Sequence, residues 1–553
     1  MRQAFVKSTN SRRCASTLLE SGGFVTMRSK QTGFRLACLG VFTVSLALRL
    51  VNIDARSIWF DEASSWLTAN MPLADLTHSL TQSTHVPLYY PVLRIWMSVF
   101  GDSPTALRSL SVLLGMCTAI GSGWLGWLVL HSSVANRPRG ERETSDVEGT
   151  TSQTKWFGLF CAAVCGLNAF QVHASVEARM YSLGTFLTIL STGLALHVRS
   201  NPDCLRHWML LTIVTLASLY THHLLALTAL VQALWLAWHL CSVPVTDRSV
   251  NQPQRRWMYW KLSVGAVTLG WMPALLLWWK QFHRIQQGFW IPAMDAWTLP
   301  RTCLEFFASP PPGRWWEFRE FGVPVLLSLV FVFCFVWTMG GPKIRLLVLQ
   351  SLVPMVVVGL VSLKTPLWEA RYFRFAHVSI LLCVAFCVWN LSTRIHARRM
   401  LASITLLTMF CGSLLFWQWR DIPKRQANRG AAMLINSDAA SARVPVVVTS
   451  PIDFIVMKYY GRQLQWPAER VKLWTGKNRD AAAAVHLISD ADWWHPPASD
   501  SPANDKVWLV EPVQSESLIP EVLLNRSVGV FRSDLWLDAW TVRIWKTPIN
   551  SLL

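Results

Sequence analysis

Carboxylates and arginines recur in short loops between long apolar stretches of this sequence. Asp61 and Glu62 follow the first apolar run, Glu177 and Arg179 lie in a second loop, and Arg371 lies in a third. A carboxylate can act as general base on a hydroxyl or amine, and a guanidinium can hold a phosphate through two parallel hydrogen bonds. Together these residue types suit a reaction in which a group leaves a phosphate.

The first loop, RSIWFDEASSWLTANMP, allows two interpretations of its acidic pair. Asp61 and Glu62 could mark a helix N-terminus, where carboxylates cap free N–H groups and suit the helix dipole. Alternatively, one of them is the general base that inverting sugar transfer needs beside the anomeric carbon. A carboxylate at the membrane surface can meet a donor carried by a lipid.

The cationic residues also have two interpretations. Arg179 either grips a phosphate or forms an ion pair with Glu177. Lys364, Arg371 and Arg374 cluster in KTPLWEARYFRF, beside an apolar run where charges are costly unless they are paired or functional. They either anchor the chain at the membrane interface or stabilise a leaving phosphate. We expect Arg371, with Lys364 or Arg374, to contact phosphate.

Histidines raise the question of a divalent metal ion. His222 and His223 could bind an ion with Glu62 or Glu177. Adjacent helical residues point about 100° apart, so both histidines rarely ligate one ion. The need for a metal is left open, with Glu62, Glu177 and His223 as the candidate ligands.

The composition excludes an ordinary soluble protein. Of 553 residues, 52% are hydrophobic and only 15% charged, the mean hydropathy is +0.30, and there are 31 Trp. Soluble domains carry about 25% charged residues, whereas Trp is enriched at membrane–water boundaries. The net charge of +19 comes from basic loops between apolar runs. This pattern indicates membrane topology and argues against a nucleic-acid partner.

Apolar runs of suitable length predict about eleven transmembrane helices. They cover residues 34–51, 104–130, 156–171, 181–198, 208–220, 224–243, 260–279, 321–339, 346–363, 375–391 and 400–417. The short run 86–100 contains Pro91 and Arg94, and we interpret it as a helix lying along the membrane interface. The Trp- and Pro-rich segment 281–320 is a candidate lid.

Basic residues orient these spans. With a cytoplasmic N-terminus, the basic loops fall on the cytoplasmic side and the loops with the candidate site residues fall outside. We therefore expect a multi-pass membrane protein whose candidate site faces away from the cytoplasm.

Three parts of the chain are distinguished by composition. Residues 1–33 are basic and predicted to be disordered, 34–419 form the membrane domain, and 420–553 resemble a small soluble α/β domain. In the last part, strands are predicted at 444–450, 471–474 and 507–510, an edge strand or hairpin arm at 536–546, and helices at 431–437 and 453–460. Its predicted outer location suggests a role in acceptor selection.

Several motifs in order carry a resemblance to a known superfamily. WFDEA, HVPLYYPVLRIWMSVFGDSPTALRSLSVLLG, VEARMYSLGTF, LYTHHLLAL and EARYFRF resemble bacterial membrane glycosyltransferases of the protein-mannosyltransferase and aminoarabinose-transferase superfamily. The likeness covers roughly residues 34–391, and it departs at His85-Val86-Pro87, where the family usually has His-Pro-Pro.

The resemblance implies a C-type glycosyltransferase fold and a polyprenyl-phosphate-linked sugar as donor. It also implies a place in the bacterial inner (plasma) membrane, with the site facing the periplasm or exterior. It implies that Asp61 is the catalytic carboxylate, supported by Glu62, and that Glu177 and Arg179 line the same cavity. Donor phosphate contacts are expected from Arg179, Lys364, Arg371 and Arg374. The expected acceptor or cavity-lining residues are His85, Tyr89, Glu177, Tyr181, His222, His223 and Tyr372.

Other functions remain as alternatives. A transporter or flippase of lipid-linked sugars would also have many helices, but transporters tend to place charges inside spans and to contain repeats. A ligase or polymerase of lipid-linked glycans would differ in donor length and acceptor. The acceptor, whether lipid, glycan or protein, is left open.

Overall fold

The computed structural model describes residues 31–135, 144–242, 251–286, 291–308, 319–391, 394–420, 427–438, 443–474, 487–494, 506–512, 529–531 and 542–548. Within these ranges, nine helices are long and apolar enough to cross a membrane. A tenth candidate is the pair Ser152–Leu167 and Ala169–Ser175, bent by 66°. The chain is an integral, multi-pass membrane protein, as the composition predicted.

The helices are labelled in chain order. Those that precede the C-terminal sheet are α1 Gln31–Leu50, α2 Phe60–Asn70, α3 Leu73–Gln82, α4 Tyr89–Phe100, α5 Pro104–Ala135, α6 Thr144–Leu167, α7 Ala169–Ser175, α8 Tyr181–Ser200, α9 Leu205–Leu219, α10 Leu225–Ser242, α11 Asn251–Gln286, α12 Thr298–Ala308, α13 Arg319–Met339, α14 Pro342–Ser362, α15 Arg374–Asn390 and α16 Ile395–Arg420. A short 3-10 turn, Ala370–Phe373, leads into α15.

Each of the eleven predicted spans has a helical counterpart, but among the described residues only nine of these helices are long and apolar enough to cross a membrane. The predicted span 156–171 is the bent pair α6–α7, and the predicted span 208–220 is α9, only 15 residues long. The other nine coincide with long apolar helices. Their outward faces carry exposed apolar side chains, as on α11, where Leu269 is 69% exposed. Such faces suit contact with lipid.

The segment 86–100 forms α4, which is 12 residues long and too short to span a bilayer. Tyr89, Tyr90 and Leu93 are buried on one side, while Ile95 and Val99 are exposed on the other. The helix is thus short and two-faced, and its position along the membrane interface stays a prediction.

The C-terminal part contains the predicted α/β elements. The helices are α17 Ala427–Ser437 and α18 Pro451–Gln463, and the strands are β1 Val446–Val448, β2 Val471–Leu473, β3 Lys506–Pro512, β4 Gly529–Phe531 and β5 Val542–Pro548. The sheet order is β2-β1-β3-β5-β4, with β1 parallel to β2 and β3, and β5 antiparallel to β3 and β4. The predicted terminal strand is thus an internal hairpin arm and not an edge, and its first residues, 536–541, lie outside the described residues.

Two other predictions fall partly outside the described ranges. Of the predicted disordered N-terminus, residues 1–30 are outside them, and helix α1 already begins at Gln31. In the candidate lid, residues 287–290 and 309–318 are outside them. The rest includes α12, where Phe306 is fully buried and Thr302 accepts a hydrogen bond from Trp368 at 2.8 Å. Helix α12 is therefore packed into the membrane domain.

Helix α18 joins the C-terminal part to the membrane domain. The ring of Tyr459 lies edge-on to Trp66 of α2 at 5.3 Å, and its hydroxyl donates to the Asp102 carbonyl at 3.0 Å. Buried residues of α2, α4, α8, α18 and the sheet form one apolar cluster. The two parts thus share a core directly beside the first loop.

Candidate active site

Asp61 lies between two arginines from distant parts of the chain. Its Oδ2 accepts a hydrogen bond from Arg371 Nη1 at 3.1 Å and lies 3.6 Å from Arg179 Nη2. The side chains of Asp61 and Arg371 are 18% and 20% exposed. Among the described residues, none donates a hydrogen bond to Oδ1. The structure thus places two of the predicted cations, Arg179 and Arg371, beside the Asp61 carboxylate, which solvent can reach.

Arg179 is held in place by several acceptors. Its Nη1 donates to the Asp61 carbonyl at 3.2 Å and to Ser65 Oγ at 3.3 Å, and Nη2 lies 3.2 Å from His85 Nε2. Burial opposes its charge, but Asp61 and nearby tyrosines outweigh burial and raise the pKa of Arg179 above its usual value. Arg179 is therefore a fixed cation beside Asp61, with His85 as its second support.

Glu62 occupies a different environment from its neighbour. It is fully buried, and Arg108 donates to both of its oxygens, from Nε at 2.8 Å and Nη2 at 2.7 Å. The Ala178 N–H donates to Oε1 at 3.0 Å, and Arg56 lies 3.9 Å away. Burial alone would raise the pKa of Glu62, but Arg108, Arg56 and the Ala178 N–H together lower it. Glu62 is thus an ionised, fully paired group that ties the first loop to the second.

Glu177 is also buried and paired. Its Oε2 accepts from Arg374 Nη1 at 2.8 Å, and its Oε1 lies 2.9 Å from His173 Nε2 and 3.7 Å from Arg56. Burial would raise the pKa of Glu177, but His173, Arg374 and Arg56 hold it well below its usual value. Arg374 is itself buried, with its guanidinium 4.9 Å from the Tyr181 ring centre.

Aromatic side chains lie next to this charge cluster. The His222 ring is 6.0 Å from Tyr181 and 5.8 Å from Tyr372, centre to centre. Two guanidinium groups lie near the Trp59 ring, with Arg371 at 5.7 Å and Arg56 at 5.9 Å from its centre. Such contacts stabilise cations on the faces of the rings.

Tyr89 lies on the buried face of α4, and burial raises the pKa of its phenol above the usual range. Lys364 differs from the other predicted cations, because it is exposed and forms no ion pair with any described residue. The structure therefore brings Arg179, Arg371 and Arg374 to the cluster but leaves Lys364 at the surface.

The candidate metal ligands do not meet. Within the described ranges, no group of three or more His, Cys, Asp or Glu side chains could hold an ion. His223 Nε2 pairs with Gln281 Oε1 at 2.8 Å, whereas the partners of Glu62 and Glu177 are arginines, a backbone N–H and His173. Burial lowers the pKa of His223 to about 4 and that of His222 to about 3. The three candidate ligands therefore do not form a metal site within the described residues, and the question of a metal stays open.

Sequence reasoning missed several partners of the site. Arg108, which is fully buried against Glu62, was not recognised as part of the site. Arg56 and His173 were not singled out, although both contact Glu177. No sequence pattern indicated the contact between His173 and Glu177, because Glu177 lies two residues beyond the end of α7. The hydroxyl of Tyr460, in α18, accepts a hydrogen bond from the Ile58 N–H of the first loop at 2.8 Å, and no local signal indicated this contact between residues 402 positions apart.

No protein-family model matches the chain, and no curated protein matches it in sequence. Solved structures with a similar fold include ArnT from Cupriavidus metallidurans in the apo state, at 12% identity and a TM-score of 0.49, covering 95% of this chain and 98% of that one. The same protein bound to undecaprenyl phosphate gives the same identity and TM-score over 94% and 98%. AglB, an oligosaccharyltransferase from Archaeoglobus fulgidus, in complex with an inhibitory peptide and a dolichol-phosphate, is 8% identical, with a TM-score of 0.46 over 87% and 70%.

Proposed function

We propose that the chain is an inverting glycosyltransferase that moves a sugar from a polyprenyl-phosphate donor to a lipid, glycan or protein acceptor, with Asp61 as general base. The proposal depends on one observation above all. A partly exposed carboxylate, Asp61 in the first turn of α2, lies 3.1 Å from Arg371 and 3.6 Å from Arg179. The proposed base is thus adjacent to the proposed phosphate-binding cations.

The charge balance of the cluster supports a phosphate ligand. Within the described residues, its ion pairs join five arginines to four carboxylates: Arg56, Arg108, Arg179, Arg371 and Arg374 to Asp61, Glu62, Glu177 and Glu369. The cluster therefore has one more arginine than carboxylates, and this excess positive charge favours the binding of an anion. A donor phosphate placed there would draw Arg371 from Asp61, which frees the carboxylate to accept a proton.

The proposed reaction uses Asp61 and the two arginines as follows. The acceptor O–H or N–H proton passes to Asp61, and the acceptor atom forms a bond to the anomeric carbon as the bond from that carbon to the phosphate oxygen breaks. The electron pair stays on the phosphate, where Arg371 and Arg179 stabilise the developing charge. Attack from the face opposite the phosphate inverts the anomeric centre.

The two buried carboxylates suit supporting roles. All four oxygens of Glu62 and Glu177 lie within ion-pairing distance of arginine or histidine. A buried carboxylate so engaged is poorly placed to accept a further proton from an acceptor. We therefore assign them to positioning, Glu62 between the first two loops and Glu177 between the second loop and α15.

The site adjoins apolar helices that suit a lipid-linked donor. The first loop follows α1, which ends at Leu50, and Arg371 directly precedes α15. The polyprenyl chain would lie in the bilayer while its phosphate reaches Arg371 at the helix end. We propose further that this end faces the periplasm or exterior of a bacterial plasma membrane, in keeping with the distribution of basic loops.

The test compares purified wild type with Asp61→Asn in proteoliposomes. The probes are undecaprenyl-phosphate carrying radiolabelled hexoses or pentoses, with a membrane extract as acceptor source. We expect wild type to transfer label, and Asp61→Asn to lower kcat about 10²–10⁴-fold, the range for a general base. Ser64→Ala, a neighbouring change in α2, serves as the matched control. A wild type that transfers no label but moves labelled lipid across the bilayer would replace this proposal by the flippase alternative.

A further inference from the structure

The hydroxyl of Tyr460, in the C-terminal helix α18, reaches the first loop of the membrane domain. It accepts a hydrogen bond from the Ile58 N–H at 2.8 Å and lies 2.9 Å from Ser57 Oγ. Tyr460, Ser57 and Ile58 are all buried. The contact joins residues 402 and 403 positions apart in the chain. It lies three residues before Asp61.

The same loop is held from its other side by Arg108. The guanidinium donates to the carbonyls of Ile53 at 2.7 Å, Arg56 at 3.0 Å and Ser57 at 3.2 Å. Ser57 is thus held through its carbonyl by Arg108 and through its hydroxyl by Tyr460. Of these two supports, only the one from Tyr460 comes from the C-terminal part.

The docking of α18 does not depend on the Tyr460 hydroxyl. Tyr459 donates to the Asp102 carbonyl at 3.0 Å, and Gln463 Nε2 donates to Asp102 Oδ1 at 3.0 Å. The Trp66 indole donates to Asp102 Oδ2 at 3.0 Å. Removal of the Tyr460 hydroxyl therefore leaves the contact between the two parts in place and removes the hydrogen bonds to Ser57 and Ile58.

We infer that Tyr460 is a positioning residue for Asp61, so that the C-terminal domain completes the transfer site. This inference rests on the proposed function. The turn 57–59 sets where α2 begins, and α2 carries Asp61 in its first turn. Without the phenol oxygen, the buried Ile58 N–H has no acceptor. The free-energy cost of a buried, unsatisfied N–H is large enough to shift segment 57–59. A shift of about 1 Å in a reacting group can lower a rate about 10²-fold.

The test compares Tyr460→Phe with Tyr459→Phe in the full-length protein, because both lose one buried hydroxyl from adjacent positions of α18. We expect Tyr460→Phe to lower kcat at least about tenfold while the KM for undecaprenyl-phosphate sugar changes less than about twofold. Tyr459→Phe should keep kcat near wild type. Equal kcat for the two variants, or a Tyr460→Phe loss that appears only in KM, overturns the inference.

A second measurement is independent of activity. Hydrogen–deuterium exchange should be faster at residues 57–62 in Tyr460→Phe, and faster near Asp102 in Tyr459→Phe. Unchanged exchange at 57–62 overturns the positioning role even in a chain that transfers no sugar. If exchange at 57–62 is faster in Tyr460→Phe but wild type transfers no sugar, the contact between Tyr460 and the first loop is confirmed and the proposed function is rejected.

Discussion

Arg108 and Glu62 form a bidentate ion pair in which neither side chain is exposed to solvent. The bonds are Nε to Oε1 at 2.8 Å and Nη2 to Oε2 at 2.7 Å, and both side chains are 0% exposed. The pair connects α5 to the first turn of α2, next to Asp61. A buried pair of this kind fixes geometry more reliably than it adds stability, because desolvation offsets the attraction.

Breaking this pair should destabilise the protein strongly. In Glu62→Gln, Arg108 keeps its charge in a buried place without its carboxylate, and we expect a loss of about 3–5 kcal/mol. Thermal unfolding in detergent checks this as a lower midpoint. The double variant Glu62→Leu with Arg108→Met should recover much of the loss, because no buried charge is then left unpaired. A single variant as stable as wild type would contradict the buried pairing.

Arg371 and Lys364 should differ sharply in their effect on donor use. Loss of a hydrogen bond to a charged group costs about 1.5–3 kcal/mol, which corresponds to roughly 10- to 150-fold in kcat/KM for Arg371→Gln. Lys364→Gln, at an exposed position, is the matched control and should change kcat/KM less than about threefold. Steady-state kinetics with undecaprenyl-phosphate sugar measure both. Equal losses of kcat/KM in the two variants would indicate that Lys364 also contacts the donor phosphate.

The pH dependence of stability should contain a contribution from His223. Burial lowers its pKa in the folded protein to about 4, below the ordinary value of 6.5. Between these values the unfolded chain binds more protons, so stability falls as the pH decreases from 6.5 to about 4. Unfolding midpoints of His223→Gln should fall less over this range than those of wild type. His396→Gln, at an exposed position, controls for loss of a histidine, and an identical decline in all three proteins would argue against this contribution.

Close packing of α5 against α6 gives a prediction that does not involve the site. A Cβ added at Gly158 would lie 2.8 Å from the Gly123 carbonyl oxygen, whereas one at Gly265 meets nothing within 4 Å. Gly158→Ala should therefore destabilise by about 1–3 kcal/mol, the usual cost of overpacking. Gly265→Ala should be neutral or stabilising by up to about 1 kcal/mol, because Ala favours helix. Midpoints of thermal unfolding decide whether the two variants separate in this way.

The membrane architecture was largely readable from the sequence because span length and apolar composition are local properties. The run 181–198 and helix α8, Tyr181–Ser200, agree closely for this reason. The bend at Asn168 was not predicted, since the whole run 156–171 is apolar and its break depends on partners elsewhere. The Asn168 side chain caps α7 by accepting from the Gln171 N–H at 3.1 Å.

The site was predictable in its residue types but not in its pairings. Charges beside apolar runs identified Asp61, Arg179 and Arg371, because such residues are costly unless they have partners. The sequence could not distinguish the partly exposed Asp61 from the buried Glu62, since the two are neighbouring residues that both carry a carboxylate. Their different surroundings come from Arg108 and the Ala178 N–H, which only the packing of α5 and the second loop supplies.

The break between α6 and α7 has a consequence for the order of biosynthesis. The carbonyls of Gly166 and Leu167, freed by the bend, accept hydrogen bonds from Arg49 of α1 and Ser413 of α16. One of these donors is made among the first fifty residues of the chain, and the other follows nearly all of the membrane domain. The bend that leads to Glu177 therefore gains its hydrogen bond to Leu167 only after α16 has been synthesised and inserted. We expect the site around Glu177 to reach its final geometry only after that late step.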